Sequence, residues 1–172
     1  MTAGRRRKTA LRSLTHVATD RAGRAAARMV DVGAKPVTKR SALARARVVF
    51  PNGLLARVLA GAGPKGAVEE VARVAGILAA KRTGELVPMC HPLGLDVVAF
   101  EFEAVDADVL EIRCSTACRG RTGVEMEAMT GAAIAALTVY DMTKALDPAI
   151  RIEGVELLEK RGGKRGPWRR DR

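Results

Sequence analysis

Hydrophobic and polar residues trade places one by one along "VVAFEFEAV" (97–105) and again along "VLEIRCSTAC" (109–118). That period of two predicts a pair of strands, and Asp106-Ala107-Asp108 between them predicts a hairpin. Phe100 and Phe102 share one face of the first strand, with Glu101 and Glu103 on the other. "ALARARVVF" (42–50) alternates small apolar with larger residues and predicts a strand that Pro51-Asn52-Gly53 breaks. "RIEGVELLEK" (151–160) predicts a last strand, after Asp147-Pro148 has stopped the element before it. Val30-Asp31-Val32 before Gly33 predicts a short one, and the proline of "KPVTK" marks a connection.

Elsewhere the apolar period lengthens. Val68, Val71, Ala72, Ala75, Leu78 and Ala79 fall at helical spacing, predicting a helix from about Ala67 to near Gly84. "LLARVLA" (54–60) predicts one or two helical turns ahead of it. "GVEMEAMTGAAIAALTVYDMTKAL" (123–146) predicts a long alanine-rich helix with few charges until its end. From residue 42 the order is strand, helix, strand, strand, helix, strand. The fold class this predicts is α+β: a ferredoxin-like βαββαβ sandwich, an antiparallel sheet with helices packed on one face. That fold hosts many functions, so it settles none by itself.

Composition narrows the picture. A chain of 172 residues predicts one domain, and 48% hydrophobic content excludes general disorder. Only 3% is aromatic, so the core must be aliphatic and alanine. No apolar run approaches the roughly 20 residues of a membrane span. The arginines of "MTAGRRRKTALRSLTHV" lack an apolar stretch behind them, which argues against an export signal. With three cysteines, an odd count, this predicts reduced thiols and a cytoplasmic location.

The net charge is +11, and its position matters more than its size. Residues 1–12 carry +5 and residues 160–172 carry +6, so residues 13–159 are neutral. A nucleic-acid module places basic residues on its folded face, whereas here the excess sits in segments expected to be mobile. The two phenylalanines on a single strand also fall short of an RNA-stacking platform. Neither a nucleic-acid nor a membrane partner is expected.

Candidate chemistry begins at "CHPLG" (90–94), which holds one of two histidines beside one of three cysteines. Cys114 and Cys118 share a strand face with Leu110 and Ile112, which predicts core packing, so no second ligand pair exists for a metal. A dyad of Cys90 and His91 is poor because neighbours on an extended chain point apart. The long helix carries Glu125 and Glu127 in its first turns and Asp141 and Lys144, three apart on one face, at its end. Glu127 and Asp141 are separated by about 21 Å of helix. Either one end is structural or the site is assembled from two chains, and the small apolar middle "TGAAIAAL" suits the sheet or a neighbouring subunit. Lys65-Gly66 and "RGGKRG" (161–166) are flexible loops that could hold phosphate, although neither matches a P-loop.

In order, "MVDVGAK", "VARVAGILAAKRTGELVPMCHPL", "GRTGVEMEAMTGAAIAALTVYDMTKA" and "RGGKRG" resemble the cyclic pyranopterin monophosphate synthase family of molybdenum cofactor biosynthesis. The resemblance runs from about Leu14 to Gly166, implying one domain at 14–166 between basic tails at 1–13 and 167–172. It implies a lyase that converts a cyclised dihydro-GTP, made by an upstream radical GTP cyclase, to cyclic pyranopterin monophosphate and pyrophosphate. No cofactor or metal is implied. The family's ferredoxin-like fold assembles as a hexamer, a trimer of dimers, with sites at subunit interfaces.

Carried over residue by residue, the resemblance makes Asp141 the acid/base with Lys144 beside it and Lys65 the loop lysine needed for turnover. Met89, Cys90 and His91, with Glu125, Met126 and Glu127, match substrate-contacting segments, and His91 is implied as hydrogen-bond donor or proton carrier. Lys81, Arg82, Arg40 and Lys164 are implied as phosphate or base contacts. The chain departs from the family where His-Lys-Gly-Asp is usual and Pro64-Lys65-Gly66-Ala67 stands instead, losing a helix cap and a site histidine. A catalytically inactive oligomeric homologue and a ferredoxin-like nucleic-acid module are the alternative readings.

Overall fold

A computed structural model of the chain describes residues 17–19, 21–62, 65–164 and 166–171. A small hairpin comes first, β1 (Val17–Thr19) with β2 (Ala25–Ala27). Then follow β3 (Thr38–Val49), α1 (Leu54–Arg57), α2 (Val68–Lys81), α3 (Thr83–Leu86), β4 (Val97–Asp106) and β5 (Val109–Gly120). The chain closes with α4 (Glu125–Thr143), β6 (Arg151–Arg161) and β7 (Trp168–Arg169). One antiparallel sheet runs β4-β5-β3-β6-β7, and its four long strands carry the βαββαβ order that the periodicity predicted.

Alternation decides the two faces of the sheet. Ala42, Ala44, Ala46 and Val48 of β3 and Leu110, Ile112, Cys114 and Cys118 of β5 are buried beneath α2 and α4. Both cysteines are therefore core residues, and burial pushes the Cys114 thiol up to about 12. On the open face Glu111 is covered by Arg45, Arg47 and Arg113, all within 3.3 Å. Burial alone would raise its carboxyl, but bonds from Arg47 and Arg113 hold it below the ordinary value. Phe100 faces the helices, where Phe102 stacks with it at 6.2 Å and Arg73 lies 5.0 Å over the second ring.

The small residues in the middle of α4 have a packing reason. A Cβ on Gly76 of α2 would lie 3.0 Å from the Gly131 carbonyl of α4 and would collide with the Phe100 ring. The two helices thus cross at a pair of glycines, and Ala128, Ala132, Ala135 and Ala136 are fully buried along α4.

Several expectations change. Val30-Asp31-Val32 is not a strand: Asp31 turns back to accept a bond from the Gly33 amide, and the Lys35 amide bonds to Val32. Val71 and Leu78 lie on the exposed side of α2 with Val74, which is 56% accessible, while Gly76 and Ala80 join the buried side. The C-terminal segment is not wholly a loose tail, because Trp168 and Arg169 pair with Lys160 and Glu159. The basic head at 1–13, Pro64 and Arg165 lie outside the described residues.

Candidate functional site

At the N-terminal end of α4 the loops enclose a pocket of about 770 Å³. That size lies in the range of small-molecule sites. Four of the segments that build it carry expected site residues or face them. Met89, Cys90 and His91 come from the stretch between α3 and β4, and Glu125, Met126 and Glu127 from the first turn of α4. Thr38 and Arg40 come from the start of β3, facing Lys160 to Lys164 from the end of β6 and its following loop.

Close backbone approach fixes these segments. A Cβ on Gly84 would sit 3.0 Å from Pro92 Cα and 3.3 Å from the His91 carbonyl, so "CHPL" lies directly on α3. The Cys90 amide bonds to Val87 at 2.9 Å, which ends the helical turn and starts the loop. Gly162 and Gly163 have φ of +95° and +83°, a left-handed backbone that suits glycine. Side chains there would also strike the Lys39 carbonyl and the Arg40 guanidinium. Arg40 itself is only 8% exposed and donates to the Gly120 carbonyl at 3.2 Å.

Six cations and two carboxylates line this pocket. Lys160 donates to Glu125 Oε1 at 2.7 Å. Glu127 is 4% exposed, and burial raises its carboxyl, with the Glu125 charge adding to the effect. A helix N-terminus favours ionisation by only about 0.3–1 kcal/mol, so desolvation wins. Burial, and then the charge of Glu127, also raises the Cys90 thiol. A raised thiol forms less thiolate, which agrees with the chain-direction argument against covalent chemistry at Cys90.

The other end of α4 carries a different cluster. Asp141 Oδ2 accepts from Lys65 Nζ at 2.9 Å, and its Oδ1 from Lys144 Nζ at 2.7 Å. Lys65 also reaches the Asp141 carbonyl at 3.0 Å. Bonds from Lys144 and Lys65 hold the Asp141 carboxyl down at about 2, although it is open to solvent. Lys144 is raised by the same pairing. The loop lysine thus sits one hydrogen bond from Asp141 despite Ala67 giving α2 no side-chain cap.

Within one chain the expected site residues therefore fall into two groups. Arg40, Met89, Cys90, His91, Glu125, Met126, Glu127 and Lys164 share the pocket. Lys65, Asp141 and Lys144 form the second cluster. Lys81 and Arg82, at the C-terminal end of α2, join neither. Of the six pocket cations the sequence singled out Arg40 and Lys164 and left out Lys35, Arg121, Lys160 and Arg161. Lys35 was visible as the last residue of "MVDVGAK"; Lys160 becomes visible only once β6 lies beside α4. Among the described residues, no three His, Cys, Asp or Glu side chains gather as a metal site would require.

Fold and pocket define an α+β protein whose cation-lined pocket also holds two carboxylates. The chain belongs to the MoaC family, whose profile matches residues 29–163. It is 53% identical over 159 residues to the cyclic pyranopterin monophosphate synthase of Chloroflexus aggregans, covering 92% of this chain and 94% of that one. The Novosphingobium aromaticivorans protein of that name is 50% identical over 159 residues, 92% and 98% of the two chains. Cyclic pyranopterin monophosphate synthase 1 of Mycobacterium tuberculosis is 50% identical over 158 residues, 92% and 91%.

Proposed function

We propose that this chain is a cyclic pyranopterin monophosphate synthase of molybdenum cofactor biosynthesis, acting in the cytoplasm on a cyclised dihydro-GTP from a radical GTP cyclase. The reaction rebuilds the purine-derived ring as a pterin. It also closes a cyclic phosphate: a substrate hydroxyl bonds to the α-phosphorus while the bond to the β-phosphate oxygen breaks and pyrophosphate leaves. Proton transfers and charge neutralisation are what the protein must supply. Asp141, held as an anion by two lysines, takes and returns protons, and Lys65 stabilises negative charge as it develops. His91 and Glu127 carry protons at the pterin end, and Arg40, Lys164 and Lys35 face the phosphates.

One observation carries the arrangement. Met126, Thr130, Ala133, Leu137, Asp141 and Lys144 recur three or four residues apart, a single stripe along α4. None is fully buried, and Leu137 is 52% exposed between the two clusters. Two copies crossing this stripe about a two-fold axis near Ala133 would bring Asp141 of one to the pocket end of the other helix, where Glu125, Met126 and Glu127 lie. The separation along a single helix then vanishes, and the active site belongs to a dimer, three of which make the hexamer.

The test is single-turnover conversion of the cyclised dihydro-GTP, read as pyrophosphate release and as the fluorescent oxidised pterin. Wild type should yield both, and Lys65→Ala and Asp141→Ala should yield neither. Wild-type protein that binds the substrate without converting it would leave an inactive homologue in its place.

A further inference from the structure

The C-terminal segment has a role that its composition conceals. The run from Lys160 to Lys164 lines the pocket without a break, and it is the end and turn of a hairpin. The return strand is β7, followed at once by Arg170. The Arg170 amide bonds to the Leu158 carbonyl at 2.8 Å, and its Nε to the Leu157 carbonyl at 2.9 Å. That Nε also lies 3.2 Å from Glu156 Oε2, and the guanidinium lies 5.9 Å from the centre of the Trp168 ring. The Gly166 amide closes the turn on the Gly163 carbonyl at 3.1 Å.

The glycine loop is thus held from two sides. On one side it lies against β3, so close to Lys39 and Arg40 that only glycine fits at 162 and 163. On the other, the backbone of β7 and the three anchored contacts of Arg170 fasten the strand that feeds it. A loop with two consecutive left-handed glycines would otherwise sample many conformations, and a lysine on it would meet an anion only part of the time.

We propose that Trp168 to Arg170 form a clasp, and that Trp168 and Arg170 are positioning residues that hold Lys164 in place for the substrate's phosphates. This rests on the reading of Lys164 as a phosphate contact. The positive charge of the segment is incidental to the role; what matters is the strand pairing and the anchored guanidinium.

A chain ending at Gly166, Arg170→Ala and the charge control Arg169→Gln separate clasp from charge. Truncation should raise KM for the cyclised dihydro-GTP about tenfold with kcat within about twofold, because one well-placed ionic contact is worth a factor of that order. Amide exchange at 162–164 should quicken while α4 stays protected. Arg170→Ala should reproduce a smaller part of both effects, and Arg169→Gln neither. Unchanged KM and exchange after truncation would overturn the clasp. Equal effects from Arg169→Gln and Arg170→Ala would also overturn it, in favour of long-range steering. If truncation unfolds the protein, Arg170→Ala decides by the same two readouts. Should the wild type show no turnover, the functional reading fails, yet the exchange rates still decide whether the segment fastens the loop.

Discussion

Glu127 and Asp141 are carboxylates on the same helix, and their surroundings push them in opposite directions. Glu127 is buried against the pocket wall, and desolvation raises it. Asp141 lies open to solvent, and two lysines lower it to about 2. The pocket end therefore disfavours the charged form of its carboxyl, and the far end favours it. A reaction that must both donate and remove protons needs such a pair. A single chain keeps the two about 21 Å apart along the helix. The exposure of the Asp141 cluster fits half a site waiting for its other wall.

Breaking both ends separately, then together, is the sharpest test of that contrast. Asp141→Asn and Glu127→Gln should each lower kcat/KM by about a thousandfold, in the range of lost acid–base groups. Mixed and reassembled, the two inactive proteins should recover activity, because a dimer with one chain of each kind holds one site with both carboxylates intact. Random pairing predicts about a quarter of the wild-type rate. A mixture as dead as its parents would mean that each site lies within one chain, and that one end of α4 serves structure alone.

Much of the fold was legible in the sequence because long strands repeat their signal. β3 and β5 are 12 residues each, and their alternation survives local exceptions. β1 and β2 are 3 residues each and β7 is 2, too short for any period to show. Val30-Asp31-Val32 looked like a strand by composition, but the Asp31 side chain gave the backbone a local partner instead. In the site, spacing alone separated the two ends of α4, while the roles of His91 and Glu127 came from the resemblance. The pairing of Lys160 with Glu125 was beyond reach, since it depends on the register that sets Lys160 opposite Ala42.

The electrostatic half of the comparison can be measured directly. In a carbon-detected titration the Asp141 carboxyl should show a midpoint near 2, and Lys144→Met should move it up toward 3.8. The sign follows from the cause: a depressed acid favours the folded state above its ordinary value, and that contribution fades as pH falls through the folded one. A wild-type midpoint already near 3.8 would show that the lysines do not hold the carboxylate down, and its electrostatic contrast with Glu127 would narrow.

Glu127 should behave in the reverse sense, and more faintly. Its carboxyl is raised, so ionising it costs folding free energy; the cost sets in as pH passes the ordinary carboxyl value and is complete above the folded one. Glu127→Gln removes the charge but keeps the shape. It should raise Tm at pH 8 by about 2 °C, an increment typical of a domain this size, with the gain vanishing near pH 4. A protein made both inactive and more stable by one substitution would mark Glu127 as a strained, working group. A Tm that falls at pH 8 would mean that the buried carboxylate is stabilised by partners that outweigh its desolvation, and the contrast with Asp141 would collapse to two anions each held by its partners.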